Sequence, residues 1–113
     1  MQDDFGLMQI KTPVIQIPDE NNSIYVKRDD LLPFSFGGNK VRIALEFIND
    51  MKKQGKDCIV GYGNARSNLS RALANLCYQF KIPCHIISPA DEDGTRIDTY
   101  NSKMVLSCDA NFH

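Results

Sequence analysis

Residues 39–87 read NKVRIALEFINDMKKQGKDCIVGYGNARSNLSRALANLCYQFKIPCHII, and two kinds of apolar pattern alternate along them. The first pattern has helical spacing and consists of Val41, Ala44, Leu45, Ile48 and Met51. Side chains three and four residues apart share one face of a helix, so we expect a helix that begins at Asn39 as its N-cap and stops at Gly55. A second helical pattern starts at Ser67 and continues through Leu69, Leu73, Leu76 and Phe80.

Short apolar runs separate and follow these helices, at residues 58–60 and 84–87. Such runs, bounded by glycine or proline, are typical of buried strands. A weaker helical pattern covers about residues 95–101, and residues 104–106 are either its end or a short strand. Alternating helices and strands predict an α/β fold in which helices flank a short parallel sheet.

The N-terminal part of the chain follows a different pattern. Residues 14–17 and 24–28 alternate and are rich in β-branched residues, and the polar residues 19–22 between them indicate a turn. We therefore expect a strand pair, followed over residues 29–38 by an irregular loop that contains Pro33 and two glycines. The expected organisation is residues 1–38 as strands and glycine loop, and residues 39–113 as a small α/β domain.

Composition excludes several function classes. The 113 residues carry 13 basic and 14 acidic side chains, and this net charge of -1 gives no electrostatic case for nucleic acid or an anionic membrane as a partner. No apolar run approaches the roughly 20 residues that span a bilayer. The acidic N-terminus does not resemble a secretory signal, so we expect a cytoplasmic protein whose four cysteines are free, buried thiols. These cysteines form no CxxC pair, and we expect no metal site.

The first candidate site is Gly37-Gly38-Asn39-Lys40, at the junction of the loop and the first helix. The glycines allow close backbone approach, and a lysine in a partly desolvated cleft can act as a nucleophile. The alternative is a turn followed by a solvated lysine. The spacing of a phosphate-binding P-loop is absent.

The second candidate site is the segment 61–68, GYGNARSN, between a predicted strand and a helix. Ligands bind at such junctions in open α/β sheets, and Ser67, Asn68 and backbone N–H groups can reach a polar ligand. The alternative is a plain turn with Ser67 as an N-cap. Two other features are expected to be structural: the charged run 27–30 as a solvated or locally paired strand end, and His85 as a core or edge histidine.

Together, KRDDLLPFSFGGNKVRIALEF and GYGNARSNLSRALANLC resemble the start of the 1-aminocyclopropane-1-carboxylate deaminase and D-cysteine desulfhydrase family. The strongest part of the resemblance is GGNK followed by Arg42, paired with Ser67-Asn68 and Arg71. It implies the tryptophan-synthase-β-like fold (fold type II) and pyridoxal 5'-phosphate as cofactor. It also implies a PLP-dependent lyase or deaminase that acts on a small amino-acid substrate and forms a homodimer as the complete enzyme.

The resemblance also implies roles for three residues. Lys40 carries the cofactor as a Schiff base, and Asn68 contacts the cofactor ring. Ser67 binds the substrate carboxylate or assists proton movement. Such chemistry needs a nucleophilic amine held in place, with the cofactor as the electron sink.

This sequence departs from the family in two respects. Family members are longer and have two domains, so the phosphate cradle and a substrate-side tyrosine have no counterpart here, and we expect this chain to be truncated and inactive by itself. The family usually has glutamine before Ser-Asn, whereas Arg66 stands here and can favour a more acidic substrate.

Two other functions remain open from the sequence. A truncated small domain can persist as a non-catalytic interaction module or remnant, with an exposed apolar face where a second domain docks. A small binding domain can also use the segment 61–68 for phosphate or carboxylate without a role for Lys40.

Overall fold

The structure, a computed structural model, describes residues 10–90 and 98–113. It begins with two antiparallel strands, β1 (Val14–Ile17) and β2 (Ile24–Lys27). The turn between them is closed by Asp19, whose Oδ1 accepts the backbone N–H groups of Asn21 and Asn22 at 2.9 and 2.8 Å. The predicted strand pair and its polar turn are confirmed.

The first long helix, α1, spans Asn39–Lys53. Its buried face consists of the five residues of the first helical pattern, Val41, Ala44, Leu45, Ile48 and Met51. The predicted cap is wrong: Gly38 is the N-cap, and Asn39 is already helical. Gly38 takes this position because its φ of 91° is open to glycine and strained for asparagine. Gly55, at φ 66°, follows the end of the helix as predicted.

The second helix, α2, spans Asn68–Gln79 and begins as the sequence indicates. Ser67 is its N-cap, and the Ser67 Oγ accepts the backbone N–H of Ser70 at 3.1 Å. This bond satisfies one of the N–H groups that a helix start leaves without a partner. The apolar face of α2 is buried and includes Ala72, Leu73, Ala74, Leu76 and Cys77.

Three parallel strands form the sheet, in the order β3 (Ile59–Tyr62), β4 (Cys84–Ile87) and β5 (Asn111–Phe112). Ile59 pairs with Cys84, and His85 pairs with Asn111. Residues on one face of β3 and β4, such as Ile59 and Ile86, are buried in a core shared with the helices. The predicted α/β fold with a short parallel sheet is confirmed. Strand β5 was not predicted because two residues show no period.

The third helix, α3, spans Tyr100–Ser107, so it begins later than the expected stretch of residues 95–101. Residues 95–97 of that stretch lie outside the described part of the chain. Thr99 sets the start of α3, because its side chain accepts the Ser102 N–H while the Ser102 hydroxyl accepts the Thr99 N–H. Residues 104–106 belong to the helix and are not a strand.

The four cysteines are free, as expected, but only Cys77 and Cys84 are buried. Cys58 is exposed and Cys108 is half-buried, so the expectation of four buried thiols was wrong for these two. Cys58 precedes β3 instead of lying within it, and therefore escapes the core. Among the described residues, no helix has the length and apolar character needed to cross a bilayer.

The loop before α1 takes an uncommon conformation. Five consecutive residues have positive φ: Phe34 (75°), Ser35 (49°), Phe36 (62°), Gly37 (74°) and Gly38 (91°). Each non-glycine residue in this region costs roughly 1–2 kcal/mol, so the surroundings must hold the loop in place. The N–H of Gly37 donates to the Phe34 carbonyl at 2.8 Å, and the N–H of Gly38 donates to the Asp29 carbonyl at 2.7 Å.

The two glycines give a matched test of this loop. A Cβ at Gly37 would lie 2.3 Å from the Asp30 carbonyl oxygen, whereas a Cβ at Gly38 would have no atom within 4 Å. We expect Gly38→Ala to lower the free energy of unfolding by about 1–2 kcal/mol, the cost of positive φ. Gly37→Ala adds a backbone clash, so its loss should exceed about 3 kcal/mol. Urea denaturation of both variants measures the difference, and equal losses would contradict this loop geometry.

Candidate functional site

Lys40 lies in the first turn of α1, directly after the glycine loop, and is half-buried. Its backbone position is fixed on one side by the loop and on the other by the buried Val41, which has no exposed surface. A side chain at the start of a rigid helix is placed more accurately than one within a loop. The structure therefore holds the backbone of Lys40 in a supported position.

Asp29 connects the start of α1, where Lys40 lies, to the N-terminal part of the chain. Its carboxylate accepts two hydrogen bonds from Arg42 of α1, to Oδ2 at 2.8 Å and to Oδ1 at 2.9 Å, and a third from the Thr12 hydroxyl at 2.5 Å. Its backbone carbonyl accepts the Gly38 N–H. A single residue thus anchors both the end of the glycine loop and the first turn of α1, on either side of Lys40.

These contacts correct the expectation for the charged run 27–30. Arg28 and Asp30 do form a local pair, with 2.6 Å between Arg28 Nη2 and Asp30 Oδ2. Asp29 also has a local partner, since Lys27 Nζ lies 3.7 Å from its Oδ1, but its closer pair is with Arg42, 13 residues away, at 2.8 Å. The Arg42 hydrogen bonds, supported by Thr12, hold the pKa of the Asp29 carboxyl far below its ordinary value.

The second candidate segment ends at Ser67 and Asn68, where α2 begins. Gly63 permits this turn, because a Cβ there would lie 2.8 Å from the hydroxyl oxygens of both Ser67 and Ser70. Within the described part of the chain, the backbone N–H groups of Asn68 and Leu69 have no acceptor. The Ser67 Oγ accepts from Ser70 and keeps its own proton to donate. This helix start can therefore hold an anion such as a carboxylate.

Two side chains at the start of α3, those of Thr99 and Asn101, hold the segment 61–68 in place through hydrogen bonds. Thr99 donates its hydroxyl to the Ala65 carbonyl, and Asn101 donates its side-chain amide to the Arg66 carbonyl at 2.9 Å. The Asn101 amide also donates to the Asn68 Oδ1 at 2.9 Å. These contacts were not predictable from the sequence, because α3 is more than 30 residues away and its apolar pattern is weak.

Arg71 joins the loop before Lys40 to the second candidate segment. Its Nε donates to the hydroxyl of the buried Ser35 at 3.0 Å, within the positive-φ loop, and its Nη1 donates to the Asn68 Oδ1 at 3.1 Å. Its Nη1 also reaches the Asn101 Oδ1 at 2.9 Å. The structure thus links the loop before Lys40 and the start of α2 through the Arg71 side chain. The chemical roles of Lys40, Ser67 and Asn68 stay predictions.

Two further residues from the sequence take surface positions. Arg66 is exposed, and its backbone N–H donates to the Asn64 side chain at 3.0 Å. Its proposed effect on substrate charge stays a prediction. His85 lies half-exposed on β4, and its Nδ1 is 3.2 Å from the Nε2 of His113. Among the described residues, no group of three or more His, Cys, Asp or Glu side chains is arranged to hold a metal ion.

Comparison with known sequences gives a consistent assignment. Residues 7–107 match the family described as "Pyridoxal-phosphate dependent enzyme". A D-cysteine desulfhydrase from Yersinia enterocolitica is 42% identical over 98 residues, which cover 76% of this chain and 29% of that protein. A D-cysteine desulfhydrase from Serratia proteamaculans is 35% identical over 86 residues, covering 74% of this chain and 26% of that protein. The chain therefore spans less than a third of the length of these relatives.

Solved structures share the fold. A homologue of ACC deaminase superposes with a TM-score of 0.77 at 22% identity, covering 95% of this chain and 33% of that one. A hydrogen sulfide-producing enzyme from Fusobacterium nucleatum superposes with a TM-score of 0.69 at 22% identity, covering 94% of this chain and 35% of that one. At this identity the likeness establishes the fold, which is that of fold type II enzymes.

The Asp29 anchor predicts how stability depends on pH. Because Arg42 and Thr12 lower the pKa of Asp29 in the folded state, the carboxylate stabilises the fold fully above the unfolded-state pKa of about 3.9. That contribution is lost as the pH falls from there towards the lower folded pKa. We expect Asp29→Asn to be less stable than the unmutated chain at pH 5–7, by a margin that shrinks below about pH 4.

Urea denaturation at pH 3, 4, 5 and 7 measures this margin. Asp57→Asn is the matched control, because Asp57 is exposed and precedes β3 without a hydrogen bond in the described part of the chain. The control should show a small difference at every pH. A margin for Asp29→Asn that stays constant down to pH 3 would contradict the role of the carboxylate.

Proposed function

The chain belongs to the family of pyridoxal-phosphate-dependent enzymes, and on that premise we propose that it supplies the lysine, serine and asparagine of a site for a small amino acid. The observation that supports the proposal is the pair of hydrogen bonds by which Arg71 connects Ser35, in the loop before Lys40, to Asn68, at the start of α2.

The donor set fits the cofactor. In the proposal, Lys40 holds pyridoxal phosphate covalently through its amine, and the Asn68 amide contacts the ring. Open space in front of the loop supports this, since a Cβ at Gly38 would meet no atom within 4 Å. When bound, the cofactor supplies an electron sink for the bonds at the substrate α-carbon.

The proposed task of α2 is to hold the substrate. A substrate carboxylate can accept the Ser67 hydroxyl and the two N–H groups of Asn68 and Leu69 that have no acceptor in the described part of the chain. The positive end of the helix favours the same charge. In the proposal, this contact orients the α-carbon, and the Lys40 amine is the candidate group for proton movement.

Substrate and reaction are proposals drawn from the relatives. Their names include D-cysteine desulfhydrase and an ACC deaminase homologue, and both reactions use small amino acids. We propose a lyase or deaminase reaction of this class, in an enzyme that is a homodimer when complete. Because the chain spans less than a third of the curated relatives, we expect it to bind cofactor more weakly than they do and to show little turnover by itself.

Labelling tests the proposed role of Lys40. The chain is incubated with pyridoxal phosphate, reduced with borohydride and digested, and the adduct is located by mass spectrometry. We expect a dominant adduct on Lys40 among the eight lysines, because Lys40 stands on a supported helix start. Lys40→Arg should remove this adduct.

Lys53→Arg is the matched control, because it removes an exposed lysine from the other end of the same helix. The control should keep the Lys40 adduct at its full yield. Labelling scattered evenly over the lysines, or an unchanged pattern in Lys40→Arg, would refute the cofactor site.

A non-catalytic interaction module is the second candidate, and one surface favours it. Val60, Tyr62 and Ile87 share the outer face of β3 and β4 and are 61%, 73% and 44% exposed. Parallel sheets are normally covered on both faces. We propose that in this alternative a second copy of the chain covers the face.

Sedimentation velocity distinguishes this alternative. If the face binds a second copy, the chain should sediment as a dimer at micromolar concentration, and Tyr62→Lys should return it to a monomer because burying the added charge is unfavourable. Tyr78→Lys, at an exposed tyrosine of α2, is the control. A monomer at all concentrations would refute the alternative.

A further inference from the structure

Arg71 makes four hydrogen bonds that reach three separate segments. Two go to Ser35, from Nε to Oγ at 3.0 Å and from Nη2 to the carbonyl oxygen at 3.3 Å. The other two go from Nη1 to the Oδ1 atoms of Asn68 and Asn101, at 3.1 and 2.9 Å. Its guanidinium also lies 5.8 Å from the centre of the Phe36 ring.

We propose that Arg71 is a positioning residue that fixes which end of the Asn68 amide faces the cofactor. The inference deepens the proposed function and rests on it, because it assumes that Asn68 lies against the cofactor ring. Its basis is the direction of the hydrogen bonds, which the chemistry of a guanidinium determines without ambiguity.

A guanidinium only donates hydrogen bonds. The amide atoms that face Arg71 on Asn68 and on Asn101 must therefore be oxygens. With its oxygen on Arg71, Asn101 turns its NH2 group towards the Asn68 Oδ1 and the Arg66 carbonyl, each at 2.9 Å. Both amides thus take their orientation from one cation, and the usual uncertainty between amide oxygen and nitrogen does not arise.

The consequence concerns the free end of Asn68. Its Oδ1 accepts two hydrogen bonds, from Arg71 and from Asn101, while its Nδ2 has no acceptor in the described part of the chain. Asn68 therefore offers a ligand an N–H donor and no acceptor. The ligand atom that it selects must be an acceptor, such as an oxygen that has lost its proton.

The ring of pyridoxal phosphate carries such an oxygen next to its aldehyde. An N–H donor stabilises the ionised form of this oxygen, whereas a rotated amide would present Oδ1 and favour the protonated form. Arg71 would thus favour the ionised form of this ring oxygen through Asn68, without contacting the cofactor itself. Lysine cannot replace it, because one ammonium group cannot make the four hydrogen bonds that the guanidinium donates to Ser35, Asn68 and Asn101.

The first arm of the test needs neither a variant nor the cofactor. Side-chain NH2 signals of Asn68 and Asn101 are assigned by NMR in the unmutated chain, and their exchange with water is measured. We expect slow exchange for the Asn101 NH2 group, which donates two hydrogen bonds, and fast exchange for that of Asn68. The reverse order would overturn the inference.

The second arm compares two probes, pyridoxal phosphate and 3-deoxypyridoxal phosphate, which lacks the phenolic oxygen. Binding is followed by absorbance titration of the unmutated chain, Arg71→Lys and Arg71→Gln. Both variants also disturb the contacts to Ser35, so the comparison between the probes is the decisive quantity. We expect each variant to lose about tenfold more affinity for pyridoxal phosphate than for the deoxy analogue, the effect of one hydrogen bond. Arg28→Lys, at an arginine that pairs with Asp30 away from Asn68, should leave both affinities unchanged.

The outcomes separate the inference from the proposed function. An equal loss for both probes means that Arg71 only supports the fold, and unchanged binding of both means that it does not orient Asn68; either result overturns the inference. If the unmutated chain binds neither probe at Lys40, the proposed function fails, while the NMR arm still decides the orientation of the amides.

Discussion

The hydrogen-bonded ion pair between Asp29 and Arg42 is the contact on which the arrangement around Lys40 depends. Five residues with positive φ lie between the N-terminal hairpin and α1, and three of them are not glycine. A loop of this kind does not hold its shape by local preference. Asp29 holds it from both ends, since its carbonyl accepts the Gly38 N–H while its carboxylate accepts Arg42 from the first turn of α1. The backbone position of Lys40 follows from this closure.

The second candidate segment is held in place by hydrogen bonds from side chains of other parts of the chain. Thr99 and Asn101, at the start of α3, donate hydrogen bonds to the carbonyl oxygens of Ala65 and Arg66. Arg71 of α2 donates to the hydroxyl of the buried Ser35. Polar groups that satisfy one another in this way define one orientation for each amide. The two segments therefore form one connected polar network, although a long helix and a strand separate them in the chain.

Much of the fold was predictable because it depends on local periodicity. The buried faces of α1 and α2 follow the apolar spacing, and Ser67 caps α2 as its residue type suggests. The start of α1 was misjudged by one residue, since asparagine is a common cap and the positive φ of Gly38 leaves no trace in the pattern. The late start of α3 and the strand β5 were missed because their apolar signals are short or weak.

The sequence by itself determined the helices and the main strands, because these follow from the spacing of apolar residues. It also determined the family and the residues that are candidates for chemistry, because these follow from short motifs. Only the tertiary structure decided which polar groups meet. Arg42 lies 13 residues from Asp29, and Asn101 and Ser35 lie 30 and 36 residues from Arg71. The local sequence around a charged side chain does not show which distant residue it will pair with. For the same reason the direction of the Asn68 amide is set by Arg71 and Asn101 together, through a geometry that exists only when α2, α3 and the loop before α1 are packed.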